Sequence, residues 1–217
     1  MLSVDCWTKE KPLSASTDRS LRLWKVAEET HLVFRGHKGS IDNVQYLTDN
    51  SFVSAGQDGS LLLWKDAQKA PVRSVAAAHG FQYIAGTNAT KTHQPSMLNQ
   101  SGNPNWVCSL ATIKMSNIVA SGSTDGFVRI WSANAEDRKL VPLCQVAAPG
   151  CVNALAVSPR LLVAGCGKEH KYGRWWNLKG GLNKLRIVRL TDEMLEDSSD
   201  EQQSSSQEDE SDNSSDN

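Results

Sequence analysis

No apolar run in this sequence reaches the roughly 18–20 residues that a membrane-spanning helix needs. The first residues, MLSVDCWTKEKPL, have no apolar stretch after a basic start, which argues against a secretory signal there. Cysteine is sparse: Cys6, Cys108, Cys144, Cys151 and Cys166 are an odd count and form no C-x-x-C pair. Each lies in or beside an apolar, strand-like run. The pattern reads as reduced, buried thiols in a cytosolic or nuclear protein, with no disulfide framework. Two N-x-S/T sequons, at Asn88 and Asn99, carry no weight without a secretory route. His and Cys are scattered without ligand spacing, so no metal is expected. The segment GCGKEH (Gly165–His170) has a Gly-Lys pair but lacks both the phosphate-loop spacing and a following helix. Carboxylates outside the C-terminal tail are few and sit in turns, so no acid/base pair stands out. These absences leave no sign of a cofactor, a small-molecule substrate or a membrane partner.

Charge is present but divided. The formal net charge is −1, yet all 23 Lys and Arg lie in residues 1–190. Eleven of the 24 Asp and Glu lie in residues 191–217, so the body carries +10 and the tail −11. The tail has eight Ser and a single apolar pair, Met194 and Leu195. Such a segment cannot bury enough surface to offset its ordering entropy, and disorder is expected. Ser198 and Ser206 each have an acid three residues on, which suits an acidophilic kinase. The tail reads either as a solubilising extension or as a tethered polyanion that competes with nucleic acid for the basic body.

The body repeats itself. LSASTDRSLRLW, VSAGQDGSLLLW and ASGSTDGFVRIW align without gaps. Each has Ser, then Asp four residues on, then Trp six further: Ser14/Asp18/Trp24, Ser54/Asp58/Trp64 and Ser121/Asp125/Trp131. Trp24 and Trp64 are 40 residues apart, Trp64 and Trp131 are 67 apart, and Trp131 and Trp176 are 45 apart. A period of about 40–45 residues is that of four-stranded propeller blades, with one insertion. Asp58-Gly59 and Asp125-Gly126 precede short apolar runs rich in β-formers, a hairpin signal. The expected blades are about 1–37, 38–79, 80–147 and 148–190. The polar stretch 80–105 is longer than an ordinary connection and reads as a mobile surface loop. In the fourth unit VNALAVS and LLVAGCG give core strands and KLRIVRL an outer strand. The Ser and Asp are replaced by a longer basic turn, GKEHKYGRWW.

The segment from Gly36-His37 to Trp64-Lys65 resembles a complete WD repeat. That resemblance implies a hydrogen-bonded network inside the blade, His37/Ser54/Asp58/Trp64 and then His79/Ser121/Asp125/Trp131. The first blade has Ser14, Asp18 and Trp24 but no His. The run G-K-E-H-x-x-G-R-W-W, with GHKGSIDNVQYL and the AHG of 78–80, is more specific. It resembles the WD-repeat subunits of the U3 small nucleolar ribonucleoprotein over about residues 2–190. The implied fold is an all-β propeller of four four-stranded blades, part of a seven-bladed ring, followed by a disordered acidic tail. The resemblance places the chain as the C-terminal part of a longer protein. The implied role is non-enzymatic: binding U3 RNA beside box C/D ribonucleoprotein proteins and small-subunit processome proteins, in the nucleolus, during pre-ribosomal RNA processing. The alternative is a general protein-binding adaptor, such as a substrate-recruiting module.

The candidate RNA-contact residues are Lys168, His170, Lys171, Arg174, Lys179, Lys184, Arg186 and Arg189. Residues 168–190 hold seven Lys/Arg and one Glu beside Tyr172, Trp175 and Trp176. Cations next to rings suit phosphate contact and base stacking. The plainer alternative is a solvated blade edge whose cations discourage edge-to-edge pairing. Ser54, His37 and Asp58 are also the residue types of a hydrolytic triad. The set recurs as Ser121, His79 and Asp125, and a device that recurs with each repeat is structural.

Overall fold

The structure is a computed structural model describing residues 1–83, 100–177 and 181–195. The first sheet is an antiparallel meander of β1 (Ser3–Cys6), β2 (Pro12–Ala15), β3 (Ser20–Lys25) and β4 (Thr30–Arg35). The second is built the same way from β5 (Ile41–Tyr46), β6 (Ser51–Gly56), β7 (Leu61–Lys65) and β8 (Arg73–Val75). A ribbon of β9 (Phe81–Tyr83) and β10 (Gln100–Pro104) forms the base of the insertion. The third sheet holds β11 (Val107–Thr112), β12 (Ile118–Ser123), β13 (Phe127–Asn134) and β14 (Lys139–Ala147).

The sheets pack face to face, and burial follows that placement. In the second sheet every residue of β6 is buried, because a neighbouring sheet covers each face. The Leu13, Leu21, Leu23 and Phe34 face of sheet one meets the Val44, Phe52 and Trp64 face of sheet two. Val53, Leu61 and Leu63 meet Val107, Val119 and Trp131 at the next junction. Ala120, Val128 and Ile130 meet Val152, Leu162 and Ala164 at the last. Buried apolar area of this kind is the main force holding blade to blade.

Asp-Gly turns close the β6–β7 and β12–β13 hairpins with Gly59 at φ +66° and Gly126 at φ +83°. A Cβ on Gly59 would stand 2.5 Å from Pro104 Cβ, so the ribbon base also demands glycine there. In the first sheet Arg19 occupies the matching turn position at φ +67°. A left-handed side-chain residue costs about 1–2 kcal/mol. Arg19→Gly is therefore expected to stabilise the chain by about 1 kcal/mol, after the added unfolded-state entropy of glycine is deducted. A urea-denaturation midpoint that falls would contradict this.

The fourth unit departs from the expected four-stranded blade. Its sheet has three strands, β15 (Cys151–Val157), β16 (Leu161–Gly167) and, after two strands outside the sheet, β19 (Lys184–Arg189). KLRIVR thus takes the third-strand place, paired with β16 from Cys166↔Lys184 to Leu161↔Arg189. The basic turn forms its own hairpin of β17 (Glu169–His170) and β18 (Gly173–Asn177). Trp175 and Trp176 lie on β18, so neither takes the third-strand position that Trp64 and Trp131 occupy. The cause is a set of local bonds that lift the hairpin out of the sheet. Asn153 Nδ2 donates to Glu169 O, Lys171 N donates to Asn153 Oδ1, and Lys168 N donates to Asn183 Oδ1.

Candidate nucleic-acid interface

The repeated Ser, His, Asp and Trp residues form two closed chains of hydrogen bonds. Trp64 Nε1 donates to Ser54 Oγ at 2.8 Å, and His37 Nε2 lies 2.7 Å from the same oxygen. His37 Nδ1 lies 3.0 Å from Asp58 Oδ2, which also accepts from Lys38 N at 2.7 Å. A neutral imidazole protonated on Nδ1 satisfies every member: serine donates to histidine and accepts from tryptophan. The third sheet repeats this, with Trp131 to Ser121 at 2.8 Å, His79 to Ser121 at 2.8 Å and His79 to Asp125 at 3.0 Å. In the first sheet Trp24 donates to Ser14 at 2.9 Å, while Asp18 accepts from Ser20 and from Arg22. Ser54 and Ser121 are wholly buried, with no room for a substrate, so both triads act as buried struts. Burial pushes the Asp58 and Asp125 carboxyls up, but bonds from His37 and His79 outweigh it and hold both below the usual range. Their contribution to stability is present above about pH 4 and is lost as acid protonates them.

A second ladder runs along the innermost strands. Each carries a bulge, marked by a register skip at Asp42, Cys108 and Asn153. Asn43 Nδ2 donates to Cys108 O of the next sheet at 2.8 Å, and Ser109 Oγ donates to Val152 O at 2.6 Å. The β17–β18 hairpin folds onto this ladder. Lys171 Nζ donates to Cys108 O at 2.5 Å, beside Tyr172. His170 is buried, edge-on to Trp106 at 5.0 Å, and burial lowers its pKa to about 4. Both residues therefore leave the expected surface patch. His170 is neutral and enclosed, and Lys171 commits its ammonium to a backbone carbonyl.

Asp42 was not singled out by its sequence context. Its side chain is buried, Oδ1 accepts from Ser40, and Oδ2 has no protein partner. Burial raises its pKa to about 6, against attraction from Lys171. A raised carboxylate pKa penalises the folded state above about pH 6 and ceases to do so below about pH 4. Asp42→Asn is therefore expected to stabilise the protein by about 1–2 kcal/mol at pH 8, with the gain vanishing near pH 4. Thermal melts of both proteins across that range check the sign.

Three of the candidate cations form a contiguous exposed strip. Lys184 and Arg186 share one face of β19, opposite Cys166 and Ala164, and Lys168 sits beside the start of that strand. Arg189 is also exposed but lies on the other face, opposite Leu161. Arg160, which sequence reasoning missed, is exposed next to it, and its carbonyl accepts from Leu190 N at 2.9 Å. Only pairing could reveal that proximity. Arg174 lies on β18. Lys179, Ser198 and Ser206 lie outside the described residues. Among the described residues no cluster of three or more His, Cys, Asp or Glu is placed to hold a metal ion. What this site offers chemically is positive charge along an exposed strand, suited to contact with phosphate oxygens.

Comparison with known proteins points the same way. A family model for the WD domain, G-beta repeat, matches residues 28–65 and 95–132. The chain is 38% identical over 165 residues to the mouse U3 small nucleolar RNA-interacting protein 2, an alignment covering 75% of this chain and 32% of that protein. It is 34% identical over 195 residues to the Arabidopsis thaliana U3 snoRNP-associated protein-like YAO, covering 86% and 38%. The solved structure of U3-55K superposes with a TM-score of 0.74 at 35% identity, covering 86% of this chain and 54% of that one. The chain thus spans about a third of the curated relatives' length and about half of the solved one.

Proposed function

The chain is a WD-repeat protein related in sequence to the U3 small nucleolar ribonucleoprotein-associated proteins, and we propose that it serves as a non-enzymatic, RNA-associated scaffold of that particle. In this reading it acts in the nucleus and nucleolus, in pre-ribosomal RNA processing and small-subunit biogenesis. Its partners are U3 RNA, box C/D ribonucleoprotein proteins and small-subunit processome proteins. The supporting observation is sequence identity to U3-associated proteins that covers three quarters or more of this chain. The exposed strip of Lys168, Lys184 and Arg186 gives that role a physical basis, because phosphate contact needs unpaired, accessible cations. The absence of a catalytic role fits the buried, recurring Ser-His-Asp sets. Sequencing of RNA crosslinked to the protein in cells tests the proposal. Strong enrichment of one small nucleolar RNA is the expected result. No RNA enrichment, with recovery of proteins alone, would favour the adaptor reading instead.

A further inference from the structure

The two ends of this arc of sheets carry the two halves of one junction. At all three internal junctions, the second and third strands of one sheet press apolar side chains onto the tryptophan or matching face of the next. The tryptophan face of the first sheet has no sheet against it among the described residues. Trp24 is 39% exposed there, against 0% for Trp64 and 2% for Trp131. At the other end the fourth sheet presents the complementary face. Leu161, Leu185 and Ile187 are 44%, 63% and 60% exposed, and pairing places all three on one face with Val163. Among the described residues the exposed large hydrophobics cluster at these two ends, with Met115 the exception. Exposed apolar surface concentrated in this way marks a contact surface.

We propose that a second copy of this chain covers both faces. The Trp24 face of each copy packs on the Ile187 face of the other, and two arcs of four blades close a ring of eight. A second copy is the partner whose surface is already known to fit, because this chain makes that junction three times within itself. The two new contacts are identical head-to-tail junctions related by a two-fold axis. Eight blades lie within the propeller range, and closure removes both open faces.

Sedimentation velocity of the full 217-residue chain over a concentration series tests this. A discrete dimer is expected. Trp24→Asp and Ile187→Asp should each weaken it about a hundredfold, since each places a charge at both junctions. Head-to-tail geometry makes a further demand. Mixing the two variants leaves one junction with an intact Trp24 and an intact Ile187, so the mixture should form a dimer that neither variant forms alone. A monomer, an open ladder of oligomers, or a dimer that survives both variants separately would overturn the proposal. Circular dichroism establishes that each variant is folded. Should Trp24→Asp fail that check, Val4→Asp with Leu185→Asp repeats the mixing experiment on side chains already 50% and 63% exposed.

Discussion

Trp64→Ala is expected to cost about 3–5 kcal/mol of folding free energy, while Trp24→Ala costs about 1–2 kcal/mol. The two residues hold the same place in consecutive repeats, and each donates its indole N–H to a serine ten residues earlier. They differ in what covers them. Trp64 is wholly buried, stacked on Phe52 at 6.2 Å and met edge-on by Phe34 from the first sheet at 5.9 Å. Removing it leaves a cavity at the junction of two sheets and takes a donor from buried Ser54, whose hydroxyl also serves His37. Trp24 has only His31 against its ring, at 5.0 Å, and open solvent beyond. Alanine there removes less buried area and leaves no enclosed void. Trp131, 2% exposed and bonded to Ser121, should behave like Trp64. Urea denaturation of the three variants gives the comparison. Equal losses at Trp24 and Trp64 would mean that junction burial does not set the energy of this repeat.

That comparison also marks how far the sequence could be read. Ser54, Asp58 and Trp64 sit at fixed spacing because three strands of one blade must bring their side chains together, so the spacing itself encodes the contact. The same holds for Ser121, Asp125 and Trp131. Where the fourth unit departs from that spacing, the pattern stops constraining the fold. GRWWN and KLRIVR both read as strands, and choosing which one enters the sheet depends on Asn153, whose side chain grips the hairpin from 16 and 18 residues away. The basic turn misled for a related reason. Composition counts charges without saying where they point, and Lys171 and His170 point inward. Asp42 gave no signal because its burial arises at a bulge that exists only once neighbouring sheets are in place.

The surviving cations support the second large effect, on RNA binding. Replacing Lys168, Lys184 and Arg186 together by Glu is expected to weaken association with U3 RNA about a hundredfold at low salt, on the order of 1 kcal/mol for each phosphate left without its cation. Exposed side chains that bridge no carboxylate are available to the backbone of a nucleic acid, and Lys184 and Arg186 meet that description. The effect should shrink as salt rises, because each cation that neutralises a phosphate releases condensed counterions. Taking three such cations away reduces the slope of log K against log salt by about 2 for a single-stranded partner. Stability should hardly change, since the three side chains lie on the exposed side of β19 and pack against no core cluster. Lys171→Glu serves as the contrast. It should destabilise the fold by placing an acid against Cys108 O and close to Asp42, and it should leave the salt slope unchanged. Filter binding across a salt series, with melts of the same proteins, separates the two behaviours. If the triple variant binds like the parent at every salt concentration, the β19 strip is an ordinary solvated edge and RNA contact lies elsewhere in the particle.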